Sequence, residues 1–245
     1  MSDKPWKAQG LAILEYFKGK ENAAFIAHSD DGDLDQVRAG LYFRKLQEFP
    51  EIEKAAIDLC RGKVLDIGAG AGCHSLELQE RGFDVTAIDI SPEAVAVMEK
   101  RGVKNALCVD YRKMKEGDFD TLLLMMNGIG IVGDLQGLKH FLNQAKLLTK
   151  VNGQIICDSL DLTGENYNIS ENPVTRKIFP NRDLERIRNS GQLKYIFEYQ
   201  NSFYPSFDWL FLSPDRLSKY ARETGWHSEI IQTQDDGKYL AHLTR

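Results

Sequence analysis

The chain has no pair of cysteines at C-x-x-C spacing. Its four cysteines, Cys60, Cys73, Cys108 and Cys157, are scattered, which excludes a disulfide framework or a zinc-ribbon pattern and reads as reduced thiols in a reducing compartment. It has no long apolar run either. The longest, Leu122 to Met126, is far below the roughly 20 residues a membrane-crossing helix needs. Residues 1–10 lack the basic-then-apolar pattern of an export leader, so a cytoplasmic location is expected. Positive charge is not in excess: 31 Lys and Arg stand against 36 Asp and Glu, a formal net charge of −5. A surface of that sign does not suit wholesale phosphate binding, and no nucleic-acid partner is expected. The five histidines show no metal-ligand spacing. Asp31, Asp33 and Asp35 alternate as in a calcium loop, but position six would need glycine and is Gln36, and position twelve would need glutamate and is Tyr42. A solvated acidic loop is the expectation there, with no metal. No internal repeat or low-complexity segment is present.

What is there is a chain of 245 residues, 42% apolar, enough for one globular domain with decorations. Residues 5–19 carry apolar positions at helical spacing between Pro5 and Gly19, and a further helix opens at Pro50 and closes at Cys60 and Gly62. From Lys63 the pattern alternates, with strands expected at 63–67, 84–89, 104–109, 119–126 and 153–158 and helices at 73–81, 91–101 and 134–149. Such alternation means a parallel sheet with right-handed crossovers. Residues 160–191 are polar and irregular. Residues 193–199 and 207–211 then alternate, placing Tyr195, Phe197, Tyr199, Phe207, Trp209 and Phe211 on one face if the two runs pair around a loop at 201–205. A helix opens at Ser213 and Pro214, and two strands, 227–233 and 238–244, join at Asp235-Asp236-Gly237. The fold class expected is α/β: a doubly wound, mostly parallel seven-stranded sheet ending in an antiparallel hairpin strand, preceded by an N-terminal helical segment, 1–60, and interrupted after strand five by a β-hairpin insertion, about 160–212, within a domain running 61–245.

The organising stretch is Val64 to Gly72, an apolar strand followed by Gly68, Gly70 and Gly72 and then a helical pattern. A tight turn between strand and helix start delivers backbone N–H groups and a positive helix end to one spot, and glycine lets a ligand approach without meeting a Cβ. The spacing is G-x-G-x-G. A dinucleotide fingerprint, G-x-G-x-x-G, would need glycine where Cys73 stands. With Asp66 two residues ahead of the first glycine, this resembles the first motif of the class I S-adenosylmethionine-dependent methyltransferases, over Arg61 to about Asp161 and again from Ser213 onward.

The resemblance implies S-adenosyl-L-methionine as cofactor, its methionine part wrapped by Asp66, Gly68, Ala69, Gly70 and Gly72. Asp89, which ends the second strand ahead of Ile90, lies where an acid binds the ribose hydroxyls. Asp110 and Tyr111, at the end of the third strand, lie where an acid meets the adenine amino group and a side chain flanks the ring. Asn127-Gly128 follows the fourth strand, where some amino-group methyltransferases have Asn, two prolines and an aromatic. Here Gly128-Ile129-Gly130 follows instead, which argues against a base-amino or amide-nitrogen acceptor. His74 reads as a capping or surface histidine. No residue is named as catalytic by the sequence; Tyr42, Asp158 and Asp161 are candidate bases by position alone. The function implied is methyl transfer to a small-molecule acceptor. An NAD-dependent oxidoreductase of similar architecture, and a non-catalytic S-adenosylmethionine-binding module, remain the alternatives, and the acceptor and oligomeric state are not legible.

Overall fold

The computed structural model describes residues 4–162, 170 and 172–245. In chain order the elements are α1 (Lys7–Phe17), β1 (Ala24–Ser29), β2 (Leu34–Arg38), α2 (Glu51–Leu59), β3 (Lys63–Ile67), α3 (Cys73–Glu80), β4 (Asp84–Asp89), α4 (Pro92–Arg101), β5 (Ala106–Cys108), β6 (Phe119–Leu124), α5 (Leu135–Leu148), β7 (Thr149–Leu160), α6 (Pro173–Ile178), α7 (Leu184–Ser190), β8 (Gln192–Tyr199), β9 (Ser202–Phe203), β10 (Phe207–Leu210), α8 (Pro214–Glu223), β11 (His227–Thr233) and β12 (Lys238–Thr244).

The near-continuous apolar strands β3, β6 and β7 form the middle of a seven-stranded mixed sheet of order β11–β12–β7–β6–β3–β4–β5. The five strands from β5 to β7 run parallel; β12 lies antiparallel to β7 and β11 antiparallel to β12. Strands buried on both faces need helices on both faces. On one face α5 and α8 bury Leu138, Phe141, Leu142 and Leu217 against Leu65, Leu122, Leu124 and Ile155. On the other, α2 and α3 bury Ile52, Ile57 and Leu78 against Val64, Leu123 and Ile156. The caps follow local chemistry: Ser91 Oγ accepts from Ala94 N at 3.3 Å, Pro92 fills the first turn, and Gly102 closes α4 at φ +97°. From β3 the chain winds outward through β4 and β5, then returns to β6 on the other side. The carboxyl ends of β3 and β6 therefore flank a topological switch point, where open α/β sheets place their ligands.

A second, antiparallel sheet has the order β10–β8–β1–β2, with β9 on β8. It differs from the sequence expectation. Residues 1–60 are not helical throughout: β1 and β2 pair as a hairpin, and β1 also pairs with β8. The acidic stretch is the turn and second strand of that hairpin, and part of it is not solvated. Asp30 and Asp31 are buried, Asp30 accepting from Lys194 N at 2.8 Å and pairing with Arg186, and Asp31 accepting from Ser29 Oγ. The reason is tertiary. A six-residue strand holds its place through a partner 170 residues away, which no local pattern reports. Within the stretch expected to be irregular, α6 and α7 are short helices capped by Asn172 and Asp183; residues 163–169 and 171 of it lie outside the described residues. The 201–205 loop contains β9, reached through a turn with Gln200 and Asn201 at positive φ.

Candidate functional site

A cavity of about 590 Å³ opens at the switch point, between the carboxyl ends of β3–β6 and one face of the second sheet. Nine of the eleven sequence-selected residues line it: Asp66, Gly68, Ala69, Asp89, Ile90, Asp110, Tyr111, Asn127 and Gly128. Gly70 and Gly72 do not. Their positive φ values, +59° and +79°, shape the turn. A Cβ on Gly70 would stand 3.1 Å from the Tyr42 ring, and one on Gly72 2.8 Å from Val103. The expectation that the turn offers its N–H groups to a ligand is corrected as well. Gly68 N and Ala69 N both donate to Ile88 O at 2.9 and 3.0 Å, Gly70 N donates to Asp89 Oδ2 at 3.0 Å, and Gly72 N to Ala69 O at 2.8 Å. The turn presents bare backbone, chiefly at exposed Gly68, and spends the N–H groups of Gly68, Ala69 and Gly70 holding β3 to β4.

Asp66 is buried and accepts from Ser75 Oγ at 2.6 Å, tying the end of β3 to the first turn of α3. Burial raises its pKa against the opposing pull of His74 and Ser75. Asp89 accepts one backbone N–H on each carboxylate oxygen, Ser91 N at 2.8 Å on Oδ1 and Gly70 N on Oδ2. A carboxylate oxygen has two acceptor sites, so each retains capacity for a hydroxyl donor. Burial pushes the Asp89 carboxyl up to about 6, against those N–H groups. Asp110 is differently placed. It caps the 3₁₀ turn Tyr111–Lys113 and takes the Arg112 guanidinium in a fork, at 2.6 Å from Nη2. Burial works to raise its pKa, and Arg112 outweighs it, holding the carboxyl below the usual range. Tyr111 stands edge-on to Phe141 with centroids 5.5 Å apart.

Met126 and Asn127 both take left-handed backbone, φ +66° and +58°. For non-glycine residues such conformations cost of order 1–3 kcal/mol each and need over-determining contacts. Asp158 supplies them. Its buried carboxylate accepts from the backbone of Asn127 and from Gly128 N at 3.2 Å, and burial pushes it up to about 6. Asp158 thus holds the loop from behind and does not line the cavity; nor does Asp161. Tyr42 lines it, hydrogen-bonded with Gln9, but burial pushes its phenol above the ordinary value, which removes it as a base at neutral pH. Gly130 faces the Trp209 indole, where a Cβ would collide with Nε1.

Several lining residues had no sequence signal. His74 is neither capping nor at the surface. It is buried, lines the cavity, and pairs through Nε2 with Glu53 Oε2 at 2.8 Å, while Glu53 takes Arg44 Nη2 at 2.8 Å. Burial disfavours the charged imidazole, but the Cys73 sulfur, Glu53 and Asp66 outweigh it, so its pKa lies above the ordinary value. Arg101 fastens the segment carrying Tyr42, donating to Ala71 O at 2.5 Å and Tyr42 O at 3.2 Å. From the second sheet come Phe25, Ala27, Asp35, Val37, Tyr195, Phe197, Phe207 and Trp209.

Over 99% of its length the chain superposes, at TM-score 0.84 and 33% identity, on 97% of a S-adenosylmethionine-dependent methyltransferase from Bacteroides fragilis, solved in complex with S-adenosyl-L-homocysteine. The chain belongs to the class I S-adenosylmethionine-dependent methyltransferases. In this methyltransferase a model of the methyltransferase domain matches residues 64–153, the stretch from β3 into β7. Curated relatives resemble only part of it. A ubiquinone biosynthesis O-methyltransferase from Xanthomonas oryzae is 37% identical over 79 residues, 29% of this chain and 33% of that protein. A 23S rRNA (uracil(747)-C(5))-methyltransferase from Pyrococcus abyssi is 32% identical over 111 residues, 44% of this chain and 26% of that protein. The chain spans about a third or less of the length of these two relatives. Among the described residues no group of His, Cys, Asp or Glu has the arrangement to hold a metal ion, and no helix is long and apolar enough to cross a membrane.

Proposed function

We propose that the protein transfers a methyl group from S-adenosyl-L-methionine to a small molecule held in the cavity. One observation carries the reading: the charge of the lining. Three aspartates at the strand ends, Asp66, Asp89 and Asp110, line it against Arg112 and His74, and those two cations are already engaged, Arg112 by Asp110 and His74 by Glu53. Opposite charge favours a bound cation in a site of reduced dielectric, and the cofactor carries a sulfonium. The diphosphate of NAD would meet like charge and a turn in which the N–H groups of Gly68, Ala69, Gly70 and Gly72 are already used, which weighs against the oxidoreductase alternative.

When bound, the cofactor supplies a methyl group already activated on a positively charged sulfur. In this reading Asp89 accepts the ribose hydroxyls, with Ile90 beside it, while Asp110 and Tyr111 border the adenine. Asp66, Gly68 and Ala69 face the methionine part, and Gly70 and Gly72 set the turn. Asn127 and Gly128 form the floor between cofactor and acceptor. The protein's task is to align the two and exclude water, and a base is needed only where the acceptor must lose a proton first. We assign no base. Residues 1–60 and an insertion of about 160–212 act as a cap that closes the acceptor side over the domain at 61–245. The sheet that brings β1 and β2 together with β8 and β10 supports this. A cytoplasmic location is proposed as well, supported by four unpaired cysteines.

Titration calorimetry tests the cofactor. Micromolar binding of S-adenosylmethionine and no comparable binding of NAD is expected; the reverse order overturns the reading. Release of S-adenosylhomocysteine in the presence of a small-molecule library separates an enzyme from a binding module.

A further inference from the structure

The second sheet presents an unusual face to the cavity. On β2, Asp35 and Val37 point the same way as Phe25 and Ala27 on β1, Tyr195 and Phe197 on β8, and Phe207 and Trp209 on β10, as the registers Ala27↔Asp35, Ala27↔Phe197 and Phe207↔Tyr195 require. The aromatic rings contact one another as a cluster, Phe197 edge-on to Phe207 with centroids 4.8 Å apart and Tyr195 stacked on Phe207 at 5.9 Å. Ala27 separates this cluster from Asp35. The Ala27 methyl, between Asp35 and Phe197 in the register, leaves a notch with its walls two strand spacings, about 10 Å, apart.

Among the described residues Asp35 is also the carboxylate in the lining with no hydrogen-bond or ion-pair partner on its side chain. Asp66 holds Ser75, Asp89 holds two backbone N–H groups, Asp110 holds Arg112, and Asp208 takes Lys194 Nζ at 3.0 Å. No cation and no N–H sits on the Asp35 side chain among the described residues. Asp35 is itself exposed to solvent; partial desolvation and the neighbouring Asp33 and Asp31 raise its pKa, so a bound cation would relieve an unfavourable charge. The faces of aromatic rings attract a cation within about 6 Å of their centroids, and a carboxylate attracts the same group from the other side.

We infer that Asp35 selects the acceptor: it recognises the ammonium group of an amine with an aromatic or broad apolar body, held in the Ala27 notch against Tyr195, Phe197 and Phe207. This rests on the methyltransferase reading above and narrows its acceptor class. A neutral or anionic molecule of the same shape would leave the Asp35 charge uncompensated, so charge gives the discrimination and the rings give the affinity.

The test uses the intact protein with bound S-adenosylhomocysteine and measures affinity directly. The probes are phenethylamine and tryptamine, their neutral counterparts 2-phenylethanol and tryptophol, and the anion phenylacetate. The amines are expected to bind at least tenfold more tightly than the alcohols, and phenylacetate more weakly still. Asp35→Asn is expected to bring amine and alcohol within threefold while leaving the melting temperature and S-adenosylhomocysteine affinity unchanged. Ala27→Leu, which fills the notch and keeps the carboxylate, is expected to weaken the amines at least tenfold. Equal binding of amines and alcohols, no binding of any probe, or an amine preference that survives in Asp35→Asn overturns the proposal and leaves cofactor binding standing. Amine selection that depends on Asp35 in a protein that binds neither S-adenosylmethionine nor S-adenosylhomocysteine upholds it and overturns the methyltransferase reading instead.

Discussion

The two sheets of this protein face one cavity and are built on opposite principles. Four of the six pairings in the seven-stranded sheet join strands adjacent in chain order, β3 with β4, β4 with β5, β6 with β7 and β11 with β12, and its middle strands are buried on both faces. The second sheet joins a hairpin at 24–38 to strands at 192–210 through pairs such as Ile26↔Glu198, and one face is left open to the cavity. The first sheet holds the residues assigned here to the cofactor. The second carries the aromatic wall and Asp35. A ligand common to a family is served by a locally encoded scaffold, and an acceptor particular to one protein is served by a surface that can change without disturbing that scaffold.

The sharpest way to break the comparison is to remove equivalent bulk from each sheet. Leu65→Ala, at a position with no solvent exposure in β3, is expected to cost about 4 kcal/mol of stability and to lower the melting point of the whole molecule. Leu193→Ala in β8 sits in a small cluster with Leu162, Ile187 and Phe211, and is expected to cost about 2 kcal/mol with cofactor affinity retained. Equal losses, measured by denaturant titration, would show that the two sheets do not differ as described.

Asp89→Ala is next in size. Losing a charged acceptor for two hydroxyls is expected to weaken S-adenosylmethionine binding by roughly 2–4 kcal/mol, with little effect on folding. An unchanged dissociation constant in calorimetry would remove Asp89 from the site.

A pH titration sharpens the same point. The Asp89 carboxyl is raised from 3.8 to about 6 by burial, so its protonated form is favoured in the empty folded protein. Stability from that preference is complete below the unfolded value and is lost as pH rises through 6. Ribose hydroxyls donate to the ionised form, so cofactor affinity is expected to be flat above pH 6 and to fall about tenfold per pH unit below it. Asp89→Asn is expected to flatten that profile.

The smallest effect concerns the seam between the sheets. Gly130→Ala would drive a methyl into the Trp209 indole. Trp209 fluorescence is expected to shift while S-adenosylmethionine affinity changes less than threefold. A larger loss of affinity would mean that Gly130 serves the cofactor after all.

The legibility of the sequence divides along the same line. Strands β3, β4, β11 and β12 stand at the residues their alternation indicates, because a buried strand and its flanking turn write their signal locally. The glycine turn was visible, yet its use was not: the N–H groups expected for a ligand go to Ile88, Asp89 and Ala69, a fact that depends on where β4 lies. The stretch Asp31 to Asp35 reads as a solvated acidic loop because β8, the strand that fixes the hairpin it belongs to, is distant in sequence. His74 looked superficial because Glu53, which buries it, comes from another helix. Asp158, a candidate base by position, turned out to hold the strained Met126-Asn127 loop, which no spacing rule shows.

Hydrogen exchange with and without saturating S-adenosylmethionine, followed peptide by peptide, tests most directly whether the two walls divide their labour. Protection is expected to concentrate at 66–72, 87–91, 109–111 and 126–133, with 24–38 and 192–210 nearly unchanged until an acceptor is added. Protection centred on 24–38 and 192–210, with none at 66–72, would contradict it.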